Sequence, residues 1–178
     1  RNNLSIDLAY SKKEFSIPDN LYIIGTMNTA DKSLMQMDTA LRRRFAFMEI
    51  MPEYELPQID RKIGKINLGK LLEELNKKIL DENLRDKQIG HSYFMTITNI
   101  SELQRVFQYE IIPLLQDYFY NDYALLEKFL GKKIISKDKM SINHKFINSS
   151  KFEDELEKIC KNKFDEENID STEEHVEE

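Results

Sequence analysis

Residues 20–33 read Asn20-Leu21-Tyr22-Ile23-Ile24-Gly25-Thr26-Met27-Asn28-Thr29-Ala30-Asp31-Lys32-Ser33. Pro18-Asp19-Asn20 is a turn, and the run at 21–26 is short, apolar and rich in β-branched and aromatic residues. That composition predicts a strand buried on both faces of a parallel sheet. Such a strand delivers residues 27–31 to the C-terminal edge of the sheet, where open α/β folds place their ligands. Upstream, residues 4–9 alternate apolar and polar in the manner of a half-buried strand, and 10–18 read as a polar hairpin or loop. Downstream, 36–44 predict a short helix, 45–50 another strand, and Met51-Pro52-Glu53 the close of the α/β part.

Beyond it the period changes to that of a helix. Leu68, Leu71, Leu72, Leu75 and Ile79 fall at helical spacing, as do Leu103, Val106, Phe107, Ile111, Leu114, Leu115 and Tyr118. Pro113 lies inside the second stripe, where a missing N–H and a bulky ring should kink or divide the helix. Residues 123–130 predict a further helix ending at Gly131, a residue suited to a C-cap. Ile134, Ile135 and Ile142 suggest a small hairpin, and 152–164 a last helix. The expected organisation is an α/β class chain: residues 1–55 as the end of an α/β core, 56–150 as a helical domain, and 151–178 as a terminal helix with an acidic tail.

Composition narrows the function classes. The 178 residues are 40% hydrophobic and 33% charged, enough for a real core. No stretch approaches the roughly 18 uncharged apolar residues of a membrane span, and 1–4 lack a signal-peptide core, so a cytoplasmic chain is expected. Cys160 is the single cysteine, and His91, His144 and His175 lack metal-ligand spacing, so no metal site is expected in the chain. The net charge is −6. Residues 152–178 hold twelve acids against three lysines, which leaves the body before them mildly basic.

Two clusters could carry chemistry. Asn28, at the predicted strand tip, can donate and accept at once, so it could orient a water against a terminal phosphate; equally, Asn28 and Asp31 could cap an Asx-turn. The second cluster is Asp38-Thr39-Ala40-Leu41-Arg42-Arg43-Arg44-Phe45. Helical neighbours project about 100° apart, so the three guanidinium groups serve different partners. One arginine suits a transferring phosphoryl group; the alternative is a solvated basic edge with an Asp38–Arg42 pair.

Residues 20–33 with Met37-Asp38-Thr39-Ala40-Leu41-Arg42-Arg43-Arg44-Phe45 closely resemble the McrB family, the AAA+ GTPase subunits of 5-methylcytosine-specific restriction systems of the McrBC type. Gln88-Ile89-Gly90-His91-Ser92-Tyr93-Phe94 and 111–120 resemble parts of that family's helical lid. The resemblance spans about residues 15–130. It implies that Asn28 positions the hydrolytic water in sensor 1, that Asp31 shares its loop, and that Asp38 orients an arginine. Arg43 or Arg44 becomes the arginine finger, and His91, Ser92 and Tyr93 become lid residues near the nucleotide. Lys32 stands where the family usually has arginine. The resemblance further implies GTP and Mg2+ as cofactors, a homo-oligomeric and usually hexameric ring, a McrC-type nuclease subunit as partner, and DNA recognition through an N-terminal domain outside this chain.

Gly64-Lys65-Ile66-Asn67-Leu68-Gly69-Lys70-Leu71 imitates a phosphate-binding loop but ends in Leu71, where a hydroxyl must hold Mg2+, and follows no apolar strand. It reads as a linker and helix start. The phosphate cradle and the metal carboxylate are therefore expected from residues upstream of this chain. No basic stripe with interleaved aromatics is found, so no direct nucleic-acid binding is expected. Other functions compatible with the sequence are an ATP-using AAA+ remodelling protein and a non-catalytic helical scaffold.

Overall fold

The computed structural model describes residues 5–28 and 39–161, apart from the Leu41 side chain. The chain forms two compact units, Arg1–Ala46 and Phe47–Glu178. In the first, β1 (Ser5–Asp7) pairs antiparallel with β2 (Glu14–Ser16), Ile6 facing Phe15. This is the predicted half-buried strand and polar hairpin, though both strands are exposed. One helical turn, α1 (Thr39–Arg42), falls inside the helix predicted at 36–44.

The strands predicted at 21–26 and 45–50 do not form: both segments lack regular structure. Ile23 is 66% and Ile24 92% exposed. The reason is physical. A strand meant for burial on both faces has no stability without flanking strands and covering helices, and among the described residues none pairs with these segments.

The second unit is a helical domain with two small hairpins. Its first hairpin joins β3 (Lys62–Ile63) to β4 (Ile66–Asn67). Gly64 turns it at φ 59°, a left-handed conformation that costs glycine little. The stretch that imitates a phosphate loop is thus a tight turn running into a helix. Asn67 caps α2 (Leu68–Asp81), its Oδ1 accepting from Lys70 N at 2.8 Å. The whole predicted stripe of α2 is buried: Leu68, Leu71, Leu72, Leu75 and Ile79 are fully covered. Each such side chain contributes about 1.5–3 kcal/mol by leaving water.

Helix α3 (Ile100–Val106) starts at Asn99, whose side chain accepts from Glu102 N at 2.9 Å. Glu102 reaches back to accept from Thr98 N at 2.6 Å, and that bond holds its carboxyl below the usual range. The helical run then widens into a π segment (Phe107–Ile111) before α4 (Ile112–Tyr118). Ile112 N donates to Phe107 O, five residues back. Pro113 explains the widening, since it has no N–H to give and its ring would strike the carbonyl four residues earlier. The ladder divides as predicted, but the stripe changes phase. The wide turn inserts one residue, so Ile111 and Ile112 are both buried while Leu114 and Tyr118 are only partly covered.

Helix α5 (Tyr123–Leu130) is capped by Asp122, which accepts from Ala124 N and Leu125 N at 2.9 and 3.0 Å. It stops at Gly131, as predicted, with φ 93°. The predicted hairpin follows as β5 (Ile135–Ser136) and β6 (Ser141–Ile142), with Ile135 opposite Ile142. A one-turn helix α6 (His144–Ile147) is new. The last described helix, α7 (Lys151–Cys160), packs on α2 through Phe152, Leu156 and Ile159. The expected extension to residue 164 and the acidic end lie outside the described residues.

Three phenylalanines from distant segments meet in the core. Phe107 stands edge-on to Phe94 and to Phe152, with ring centroids 6.5 and 5.5 Å apart. Beside this apolar cluster lies one uncharged polar side chain, Asn76, fully buried on the apolar face of α2. Its Nδ2 donates to Ile89 O at 2.9 Å and its Oδ1 accepts from Ile89 N at 2.7 Å, so it pairs with that backbone as a neighbouring strand would. Nδ2 also reaches Tyr54 Oη at 3.3 Å. Among the described residues no helix is long and apolar enough to cross a membrane.

Two outcomes follow from this packing. Asn76→Leu keeps the number and branching of side-chain heavy atoms and raises apolarity, yet it strands a buried N–H and a buried C=O at Ile89. Urea unfolding should show a loss of about 2–4 kcal/mol, and an unchanged midpoint would remove the pairing from the stability of the domain. Burial, aided by the nearby Glu74 charge, pushes the Cys160 thiol from its ordinary 9.0 to about 11. Between those values the unfolded chain gives up a proton that the native chain keeps, so this group's contribution to stability falls as pH rises above about 9. Compared with Cys160→Ala, the natural chain should lose stability from pH 8.5 to 10.5, and iodoacetamide should label it slowly at pH 8 until it unfolds.

Candidate functional site

Three groups of candidate residues were singled out by sequence, and the two units divide them. Asn28, Arg43 and Arg44 belong to the first unit. All three are exposed. Asn28 follows the irregular 21–27 segment. Arg43 and Arg44 follow α1, and Arg43 N closes that turn by donating to Thr39 O at 3.2 Å. Asp31 and Asp38 lie outside the described residues, and with them the loop that Asp31 was expected to share with Asn28 and the contact through which Asp38 was expected to orient an arginine, the Asp38–Arg42 pair included.

His91, Ser92 and Tyr93 belong to the second unit, where they form a single 3-10 turn (His91–Phe94). This turn is anchored at both sides. Before it, Ile89 is clamped by Asn76 and fully buried. At its end, Phe94 enters the core against Phe107. After it, Arg61 Nη2 donates to Ile97 O at 2.5 Å and Met95 O at 3.2 Å, fixing the chain that leaves the turn. Ser92 is exposed between these anchors, while His91 and Tyr93 are half-buried. Burial pushes the Tyr118 hydroxyl up, with Tyr93 adding to the effect.

A strap formed by residues 47–58 runs along this loop. Glu49 receives both guanidinium nitrogens of Arg85, at 2.7 and 2.9 Å, and these bonds hold its carboxyl below the ordinary range. Glu53 N donates to His91 Nδ1 at 3.1 Å. In the neutral imidazole that bond leaves the proton on Nε2, so His91 presents a donor on the side away from the strap. Tyr54 approaches α2 so closely that a Cβ on Gly69 would overlap the Tyr54 carbonyl oxygen. Glycine at 69 is therefore a packing requirement rather than part of a phosphate loop.

Sequence reasoning missed Asn76, Tyr54 and the Glu49–Arg85 pair. Asn76 did leave a signal. It sits at i+4 from Leu72 and i−3 from Ile79, so a polar residue on the buried face must find partners there. The Glu53–His91 and Glu49–Arg85 contacts left none, because they join residues more than thirty positions apart with no periodicity to mark them.

Chemically, the turn offers a hydroxyl, an imidazole donor and a phenol on a backbone held from three directions. The first unit offers a neutral amide and two guanidinium groups. These groups can bind and orient phosphate oxygens or water.

Residues 67–127 match the family described as McrB, alpha-helical lid domain. They run from the cap of α2 through most of α5, and so include the Asn76 clamp and the His91–Phe94 turn. In a match 150 positions long that covers 73% of this chain, it is 37% identical to the Type IV methyl-directed restriction enzyme EcoKMcrB subunit of Escherichia coli (strain K12). The aligned part is 33% of that relative, so the chain spans about a third of the length of the protein it matches. The lid match and this identity agree with the motifs at residues 20–33 and 37–45: the chain belongs to the McrB family, and its residues 67–127 are that family's alpha-helical lid.

Proposed function

We propose that this chain is the C-terminal part of an AAA+ GTPase subunit of a modification-dependent restriction system. The observation that carries the reading is the 37% identity to the EcoKMcrB subunit, together with the lid match. The bare apolar surface of the first unit, where Ile24 is 92% exposed, and Met48 at 83% near the start of the strap both support it. Side chains of that kind are suited to a sheet with further strands beside it. In this reading residues 1–55 complete an α/β core, 56–150 form the lid and 151–178 add a terminal helix and acidic tail.

The residues of this chain then divide the work. Asn28 holds the attacking water, its amide donating and accepting without a change of protonation. Asp31 shares that loop, and Asp38 orients an arginine. Arg43 or Arg44 extends to the γ-phosphate bound by the neighbouring subunit, where its fork spreads over developing charge. His91, Ser92 and Tyr93 form the lid's nucleotide-facing turn. Among the described residues no group of three or more His, Cys, Asp or Glu could hold a metal ion, and the 64–71 segment is a hairpin turn and helix start. In this reading the phosphate cradle and the Mg2+ carboxylate lie outside this chain, and His91, Ser92 and Tyr93 face the nucleotide from the lid. Once bound, GTP and Mg2+ supply the transferable phosphoryl group and a charge that neutralises its oxygens. The subunits form a ring, expected to be a hexamer, in the cytoplasm. A McrC-type nuclease subunit cuts DNA, and an N-terminal domain outside this chain recognises the target.

A site shared between subunits has a signature in mixed rings. In the full-length protein, Arg43→Ala or Arg44→Ala leaves a subunit's own nucleotide site intact, whereas Asn28→Ala leaves its finger intact. The finger variant should lose about 10³- to 10⁵-fold in GTP turnover, and Asn28→Ala should fall steeply with little change in GTP affinity. Mixing the two under subunit exchange should restore activity above the sum of the separate variants. No gain on mixing would place the arginine in its own subunit's site or in a structural role.

A further inference from the structure

Charge is distributed very unevenly along the chain. Residues 132–151 hold six lysines and a single acid, Asp138, for a net +5 in 20 residues, whereas the whole chain is −6. Lys132 and Lys133 precede β5, Lys137 and Lys139 lie in the turn between β5 and β6, Lys145 is in α6 and Lys151 opens α7. The two strands are two residues long, roughly 7 Å, so the tip of the hairpin and its base are close together. Asn143 N donates to Ile134 O at 2.8 Å and closes the base. Lys133 and Lys137 have acidic partners, Glu155 at 3.1 Å and Glu127 at 3.9 Å. Lys132, Lys139, Lys145 and Lys151 are exposed and form no ion pair among the described residues.

The accompanying residue types point to one kind of partner. Ser141, Asn148 and Ser150 stand among the lysines, and hydroxyl and amide groups with lysines are the usual contacts to phosphate oxygens. The segment has no arginine, tyrosine or tryptophan, the residues enriched where proteins bind proteins, while lysine is depleted there. Its one aromatic, Phe146, is packed against the core, so nothing is offered for unpaired bases to stack on. Such a surface lacks the interleaved aromatics of a single-strand binder, and a duplex backbone requires none.

We propose that the β5–β6 hairpin with α6 is a docking surface for the phosphate backbone of double-stranded DNA, held by Lys132, Lys139, Lys145 and Lys151 without reading sequence. Release of counterions by four lysines gives a slope of about −3.6 in log K against log salt.

The test is fluorescence anisotropy of the 178-residue chain with a labelled duplex of about 24 base pairs, between 50 and 200 mM salt, where such contacts act most strongly. Wild type should bind the duplex with that slope, more tightly than the matching single strand and more tightly than poly-glutamate competes. The variant K132Q/K139Q/K145Q/K151Q should lose at least tenfold at 50 mM and flatten the salt dependence. Should it fail to fold, each single lysine variant, checked by thermal melting, should reduce the slope by about 0.9. Absence of duplex binding at 50 mM, a slope unchanged in the variants, or preference for single-stranded DNA or poly-glutamate would each overturn the assignment.

Discussion

Asn76 sets the geometry of the lid. On the buried side of α2 a polar amide is costly unless every bond is made, and the bonds available to it are the N–H and C=O of Ile89. That pairing fixes a loop whose regular structure is limited to short 3-10 turns against α2. Once Ile89 is fixed, Phe94 is committed to the core five residues later, where it meets Phe107 and through it Phe152 of α7. Tyr54 touches the same amide, so the strap is drawn to the same point. Helix, loop, strap and terminal helix are thereby ordered about a single polar contact in an apolar setting.

Much of this unit could be read from the chain. The α2 stripe, the division of the third helical run at Pro113, the stop at Gly131 and the Ile135–Ile142 hairpin each depend on local physical rules, and local rules are what sequence spacing reports. The π segment was foreseeable in place but not in kind. Pro113 demands that the ladder break, but whether the chain kinks or inserts a residue depends on which choice buries Ile112. The strands expected at 21–26 and 45–50 show the opposite limit. Their apolar composition is real, but a doubly buried strand is a property of a sheet, and the described residues hold no sheet for them to enter. Of the candidate site, the His91–Phe94 turn was legible as a motif while its anchoring was not. Glu53 binds the turn at His91 and Glu49 binds Arg85 ahead of it, both from positions with no helical or strand relation to it.

This difference between the units matters for function. The residues proposed to act on phosphate in the first unit are exposed and follow or flank segments whose apolar side chains are uncovered. The lid is self-sufficient: α2, α3 and α5 are capped by side chains of Asn67, Asn99 and Asp122, and its core is closed. A rigid lid carrying a fixed polar turn, next in sequence to a segment that needs partners, is how a site shared among several elements is expected to be built. The lysine-rich hairpin lies beyond the matched lid residues 67–127, adding Ile134 and Ile135 to the core on one side and a charged surface on the other.

The claim on which the rest stands is that Ile89 and the turn after it are held as firmly as the core. Native-state hydrogen exchange of the Ile89 amide measures this directly. Bound to a buried side chain, that amide should exchange only through the opening that exposes the α2 core amides such as Leu75, with the same free energy and the same denaturant dependence. Exchange of the Ile89 amide at the rate of an open surface loop, while the Leu75 amide stays protected, would contradict the account.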